Sequence, residues 1–210
     1  MALRFYFARH GESVANLLHV FSNQSGKHPL TEQGQQQAQA LAQRMAGLNL
    51  CAIYSSPVLR ALQTARTVQQ AVDVPLHISD ALREYSVGSF EDTNCEENWR
   101  IFFERMHEWM EGRNRHLAVG GGESFFDLRD RFVPFIEDLK AKFAHQEGGL
   151  LLVGHGGTFR CMLPLVLSNL SFDFVRQARF ANTQVVTAEL RAGQLIGLSW
   201  GEQPDRKSVV

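Results

Sequence analysis

The hydrophobic positions of this chain change period in a regular order. Leu3 to Ala8 is a continuous apolar and aromatic run that stops at a glycine-containing segment, as a buried strand does. After a polar stretch, Thr31 is placed to cap a long helix, in which Ala38, Leu41, Ala42 and Met45 recur at helical spacing. Cys51 to Tyr54 reads as a second strand. Ser56 then reads as a cap and Pro57 as the first turn of a helix carrying Leu62, Ala65 and Val68. A short third strand is expected over Leu76 to Ile78, followed by the aperiodic stretch LREYSVGSFED.

From about Glu96 to Glu111, Trp99, Phe102, Phe103, Met106 and Met110 form one apolar stripe on an otherwise charged helix, which by default is a packing face. Gly120 to Gly122 precede a longer helix in which Leu128, Phe132, Phe135, Leu139 and Phe143 share a face and Pro134 is expected to kink the axis. This glycine triplet is no phosphate loop, because it lacks the G-K-[ST] ending and no strand precedes it. Leu150 to Val153 is apolar throughout, as in a parallel strand covered on both faces, and a helix should follow from about Thr158. Val185 to Leu190 and Leu195 to Trp200 flank Ala192-Gly193, the pattern of a hairpin.

Strands alternating with helices predict an α/β three-layer sandwich: a mainly parallel open sheet with helices on both faces. One domain over residues 1–210 is expected, with the segment at about 85–122 inserted as a helical lid and a mobile tail at 201–210. Composition narrows the function. Lys plus Arg number 21 against 22 Asp plus Glu, so there is no broad cationic surface for nucleic acid. Cys51, Cys95 and Cys161 are odd in number and scattered, which argues against a disulfide framework or zinc knuckle and for a reducing compartment. The opening MALRFYFARHGES lacks a signal peptide's apolar stretch, and the later run from Cys161 to Leu167 is too short to span a bilayer. A cytoplasmic protein without membrane or nucleic-acid partners is expected, as a monomer or homodimer.

Three polar clusters fall just past the carboxyl ends of expected strands: Arg9-His10-Gly11-Glu12, Ser55-Ser56-Pro57 with Arg60, and Gly154-His155-Gly156-Gly157. Open α/β sheets bind ligands outside those strand ends, so topology alone should bring the clusters together. Two guanidinium groups and two imidazoles make a cationic cup, with the carboxyl of Glu84 beside it. Arginine forks match phosphate oxygens, and helix N-terminal amides after Pro57 or near Thr158 could add donors. Phosphoryl transfer is mostly positioning and charge neutralisation, so the arginines can take the part of metal ions; no metal and no cofactor is expected. Neighbouring Arg9 and Arg60 should keep a nucleophilic imidazole neutral. On chemistry alone either His10 or His155 could attack, and Glu84 is the candidate acid for the departing oxygen.

R-H-G-E at the start, S-S-P-x-x-R-A-x-x-T-A from Ser55, L-R-E from Leu82 and G-H-G-G from Gly154 occur in this order, and over about Leu3 to Leu190 the chain resembles the histidine phosphatase superfamily, in its phosphoglycerate-mutase-like branch. The resemblance implies a phosphohistidine intermediate on His10, the phosphoryl group held by Arg9, Arg60 and His155, and a proton supplied by Glu84. It implies that Asn16 also faces the phosphate, and that Ser22, Asn23 and Gly156 lie toward the rest of the substrate. One departure stands out: in Gly88-Ser89-Phe90-Glu91-Asp92 the last position is usually glycine, so the turn there is expected to differ.

Outside these motifs, His19, His28, His77, His107, His116 and His145 are assigned nothing. Thr64 reads as a helix hydroxyl bonded to backbone, and Glu12 as either a second carboxyl of the site or a structural ion pair. The family holds both phosphatases and mutases. Between Ser86 and Ser124, Arg100, Arg105, Arg113 and Arg115 face eight acidic residues, a poor lid for a bisphosphate, while several aromatics there suit an apolar leaving group. The expected function is hydrolysis of a small phosphorylated metabolite. A cofactor-dependent phosphoglycerate mutase is the alternative, and a non-catalytic phosphate sensor is the alternative outside enzymes.

Overall fold

The computed structural model describes residues 2–23, 26–201 and 203–204. Among the described residues, seven strands form one sheet: β1 (Leu3–Arg9), β2 (Leu50–Ser55), β3 (Leu76–Ile78), β4 (Gly148–Gly154), β5 (Val185–Arg191), β6 (Gln194–Trp200) and β7 (Gln203–Pro204). Their spatial order is β3-β2-β4-β1-β5-β6-β7. β3, β2, β4 and β1 run parallel, whereas β5 to β7 are added antiparallel beyond β1, so the sheet is mixed. The helices are α1 (Val14–Leu18), α2 (Glu32–Ala46), α3 (Leu59–Val72), α4 (Glu96–Met110), α5 (Phe125–Phe143), α6 (Gly156–Val166) and α7 (Phe172–Gln177).

Period-2 side-chain alternation sorts the central strands into two cores, giving the three layers expected from sequence. Leu3, Phe5 and Phe7 of β1 face a cluster shared with α4, α5 and α6, while Tyr6 and Ala8 face one shared with α2 and α3. β4, buried on both faces, contributes Leu150 and Leu152 to the first and Leu151 and Val153 to the second. The hairpin turn forms at Ala192 and Gly193, both with positive φ (47° and 80°), as a two-residue primed turn requires.

Several expectations are corrected. The helix after β2 begins at Leu59, capped by Val58, because the Ser56 hydroxyl stays outside it and accepts from Val58 N at 3.2 Å. Its buried face is Ala61, Ala65 and Val68, with Leu62 only half-buried. α6 starts at Gly156 rather than Thr158. Asp92 occupies the left-handed region at φ 60°, so the turn usually served by glycine forms with aspartate, which tolerates that region and here also pairs with Lys27 at 2.7 Å. In the tail expected to be mobile, Gln203–Pro204 pairs with β6; residues 202 and 205–210 lie outside the described residues. No described helix is long and apolar enough to cross a membrane.

Backbone contact between the end of β1 and the start of α2 fixes where the first cluster stands. A Cβ on Gly34 would lie 1.9 Å from the carbonyl oxygen of Glu12, and one on Gly11 would lie 2.5 Å from that of Gly34. Thr31 caps α2 by accepting from Gly34 N at 2.9 Å. Gly34→Ala is therefore expected to destabilise the fold by about 1–3 kcal/mol through overpacking, measured by urea denaturation.

Candidate active site

The strand ends set the geometry. Arg9 lies opposite Gly154 in the β1–β4 register, and His10 N donates to Gly154 O at 3.0 Å, which brings the two histidines that follow these strands together. Their ring centroids are 5.1 Å apart. Ser56 N donates to Val153 O at 2.9 Å, so the end of β2 is attached to the same rim.

Arg60, on the first turn of α3, joins the two rings. Its Nε donates to His10 Nε2 at 3.0 Å, its Nη2 to His155 Nδ1 at 3.2 Å, and its Nη1 to the carbonyl of Ser22 at 2.6 Å. Arginine has no acceptor, so each ring presents a lone pair to it and carries its proton on the other nitrogen. His10 Nδ1–H then donates to Gly11 O at 2.6 Å, and His155 Nε2–H to Ser56 Oγ at 2.8 Å. The rings are thus neutral in opposite tautomers. Both are held well below the ordinary histidine value, first by burial and then by the charge on Arg60. Burial brings Arg60 down to about 10, still protonated at neutral pH.

A cleft of about 440 Å³ opens above this group, and Arg9, His10, Asn16, Ser22, Asn23, Arg60, Glu84 and Gly156 line it. His155 is fully buried and stands behind them. Arg9 donates to Phe180 O at 2.7 Å, while its buried Nε has no partner among the described residues and so offers a donor suited to an anion. Asn16 accepts at Oδ1 from Ser13 N at 3.0 Å, which leaves its amide nitrogen as the donor. Asn23 is committed: its Nδ2 donates to Tyr85 O at 2.9 Å and its backbone N to Glu91 at 3.0 Å. The Ser22 hydroxyl meets His28 Nδ1 at 2.7 Å.

Glu84 reaches the N-terminus of α6, where its carboxylate accepts from Gly157 N at 2.8 Å and Thr158 N at 2.6 Å. A Cβ on Gly157 would lie 2.8 Å from Glu84 Oε1, so glycine permits the approach. The α6 amides that the sequence suggested for phosphate are therefore engaged by Glu84, and Val58 N beyond Pro57 is engaged by Ser56. Among the described residues Glu12 neither lines the cleft nor makes an ion pair; it accepts from the Thr31 hydroxyl at 2.8 Å. Thr64 donates to Arg60 O at 2.8 Å, as read from sequence, and also accepts from Gly11 N at 3.1 Å.

Three contributors carried no motif. Arg160 lines the cleft one turn beyond Gly156, anchored to Ala178 O at 2.6 Å; the four-residue spacing from G-H-G-G was its only signal. Asn182 donates to His10 O at 2.9 Å. Arg131 of α5 donates to the carbonyls of Ala81 at 2.9 Å and Arg83 at 3.1 Å and pairs with Glu123, which accepts from Ser86 N at 2.7 Å. The loop bearing Glu84 is thus clamped on both sides.

The model of the histidine phosphatase superfamily (branch 1) matches residues 5–203. The chain belongs to that superfamily. A curated relative from Escherichia coli O1:K1, the probable phosphoglycerate mutase GpmB, is 29% identical over 204 residues, 94% of this chain and 90% of that protein. Among solved structures, a mycobacterial glucosyl-3-phosphoglycerate phosphatase complexed with VO3 superposes with a TM-score of 0.81 at 21% identity, over 95% of this chain and 99% of that one. The phosphoserine phosphatase of Entamoeba histolytica with 3-phosphoglyceric acid gives 0.76 at 24% identity, over 96% and 98%. At such identities the likeness is one of fold.

The neutral rings make stability depend on pH with a definite sign. Below the ordinary histidine value of 6.5 the unfolded chain takes up protons that folded His10 and His155 refuse. Each therefore lowers stability by about 1 kcal/mol over the first pH unit below 6.5, and by close to nothing well above it. The slope of unfolding free energy between pH 6.5 and 5.5 is expected to shrink by about that amount in His155→Asn, read from urea midpoints at each pH.

Proposed function

We propose that the chain hydrolyses small phosphate monoesters in two steps through a phosphohistidine on His10. The observation that carries this reading is the lone pair of His10 Nε2, held at the cleft floor against Arg60 by the Gly11 hydrogen bond. Of the two rings only His10 lines the cleft, which favours it as the nucleophile. Arg9, Arg60 and the amide of Asn16 would hold the phosphoryl oxygens, with His155 accepting from Arg60 and keeping it aimed. In the first step the Nε2 lone pair forms the N–P bond, the P–O ester bond breaks, and the departing oxygen takes a proton from Glu84. Water then attacks phosphorus, Glu84 takes its proton, and the N–P bond breaks to release phosphate. Arginine donors supply the charge stabilisation, so no metal is required in this reading.

Segment 85–122 acts as the lid, and its charges favour a phosphatase. Arg100 pairs with Glu97 and Glu104, Arg105 with Glu108, Arg113 with Glu111, and Arg115 lies over Phe125 while donating to Trp109 O. None of them lines the cleft. A phosphoglycerate mutase is the second reading, favoured by Arg160 as a third guanidinium in the cleft and by the name of the E. coli relative.

Quenching turnover of 4-nitrophenyl phosphate labelled at phosphorus is expected to trap acid-labile phosphate on His10, in the presence of chelator, and none in His10→Ala. With 3-phosphoglycerate and a trace of its bisphosphate, phosphate release is expected to outrun formation of 2-phosphoglycerate; the reverse order selects the mutase. Arg131→Met tests positioning of the acid. Its kcat/KM is expected to fall about tenfold or more with ethyl phosphate, whose leaving group needs a proton, and by less than about threefold with 2,4-dinitrophenyl phosphate, whose leaving group does not. An equal loss on both substrates would make the role of Arg131 merely structural.

A further inference from the structure

The cleft has two unlike ends. Its charged lining groups are Arg9 from the end of β1, Arg60 from α3, Arg160 from α6 and Glu84 from the loop after β3. The opposite side is apolar: Val20, Phe21, Trp99, Phe102, Phe103 and Met106, four of them on α4. Phe21 stacks on Trp99 with centroids 3.9 Å apart, and Trp99 on Phe103 at 5.6 Å, so the wall is one continuous aromatic surface.

Core packing accounts for only part of the α4 stripe. Phe102, Trp109 and Met110 are buried in the core, but the side chain of Phe103 remains 54% exposed while lining the cleft. Leu17 and Leu18 on neighbouring α1 are likewise exposed, and Trp99 Nε1 fastens α4 to that helix by donating to His19 O at 2.8 Å. A contiguous apolar surface left open beside a few convergent polar groups is the composition of a small-molecule site. The arginines of α4 do not line the cleft: Arg100 pairs with Glu97 and Glu104, and Arg105 with Glu108.

We infer that this wall selects the substrate: a phosphate monoester whose alcohol carries an extended apolar group, with the phosphoryl end in the arginine cup and the apolar end against Trp99, Phe103 and Met106. The inference rests on the hydrolase reading and deepens it by naming the leaving group. A second anionic group on the alcohol would find a donor only toward Arg160 and would meet aromatic carbon along the α4 wall.

An n-alkyl phosphate series from ethyl to octyl isolates the effect, because the scissile bond and the acidity of the alcohol hold constant while apolar length grows. Full burial of a methylene corresponds to about a fourfold gain. The kcat/KM ratio of hexyl to ethyl phosphate is expected to reach about thirtyfold or more, and 3-phosphoglycerate to fall below hexyl phosphate. In Phe103→Ala the hexyl-to-ethyl ratio should drop at least about fivefold, and Phe103→Leu should restore most of it. Reading a ratio removes any difference in folded fraction. Equal turnover of ethyl and hexyl phosphates, or preference for 3-phosphoglycerate, overturns the apolar wall and leaves hydrolysis standing. Absence of turnover on every ester, with no phosphate trapped on His10, overturns the hydrolase reading and this inference with it.

Discussion

A buried guanidinium between two imidazoles is tolerable only while both rings stay uncharged. Arg60 uses three nitrogens on His10, His155 and Ser22, and each contact demands an acceptor lone pair. That requirement propagates outward: His10 must donate its Nδ1–H to the Gly11 carbonyl, and His155 must donate its Nε2–H to Ser56 Oγ. Leaving either guanidinium or ring without its partner would cost the desolvation of a buried polar group, so the arrangement locks as a unit.

Much of the secondary structure follows from that unit. Gly11 can orient its carbonyl because Gly34 allows α2 to come within backbone contact, and Thr64 holds Gly11 N from α3. Ser56 is kept out of the helix it precedes because its hydroxyl is already bonded to His155, so α3 starts at Leu59. Arg9 and His10 are further tied to the loop before β5 through Phe180 and Asn182. The antiparallel half of the sheet thereby reaches the cleft that the parallel half creates.

Most of what could be read from sequence either had enough length to show a period or was marked by turn residues and by its place in the strand–helix alternation. β1, α2, β3, α4 and the Ala192-Gly193 hairpin stand close to where their patterns place them. α1 and α7 are five and six residues long, too short to show helical periodicity, and neither is among the elements the pattern predicts. The Ser56 cap failed for a tertiary reason that no local pattern reports. Around the cleft, residues attached to strand-end motifs were visible because topology delivers them. Arg160, Arg131 and Asn182 were not, since an arginine on a helix or an asparagine in a loop looks ordinary until the partner from elsewhere in the chain is known. The committed amides of Asn23 and α6 were equally hidden, because their acceptors, Tyr85 O and Glu84, come from a loop without any period.

α4 gives the cleft aromatic carbon and no charged side chain, and it meets α1 through the backbone carbonyl of His19, an acceptor that every residue type provides. Its cleft-facing positions can therefore be exchanged without rewiring the proton network beneath. On the proposed reading, choice of ester and the chemistry performed on it are modular in this architecture: changes at Phe103 and Met106 would redirect the scaffold while its engine stayed intact, whereas Trp99 also holds α4 to α1.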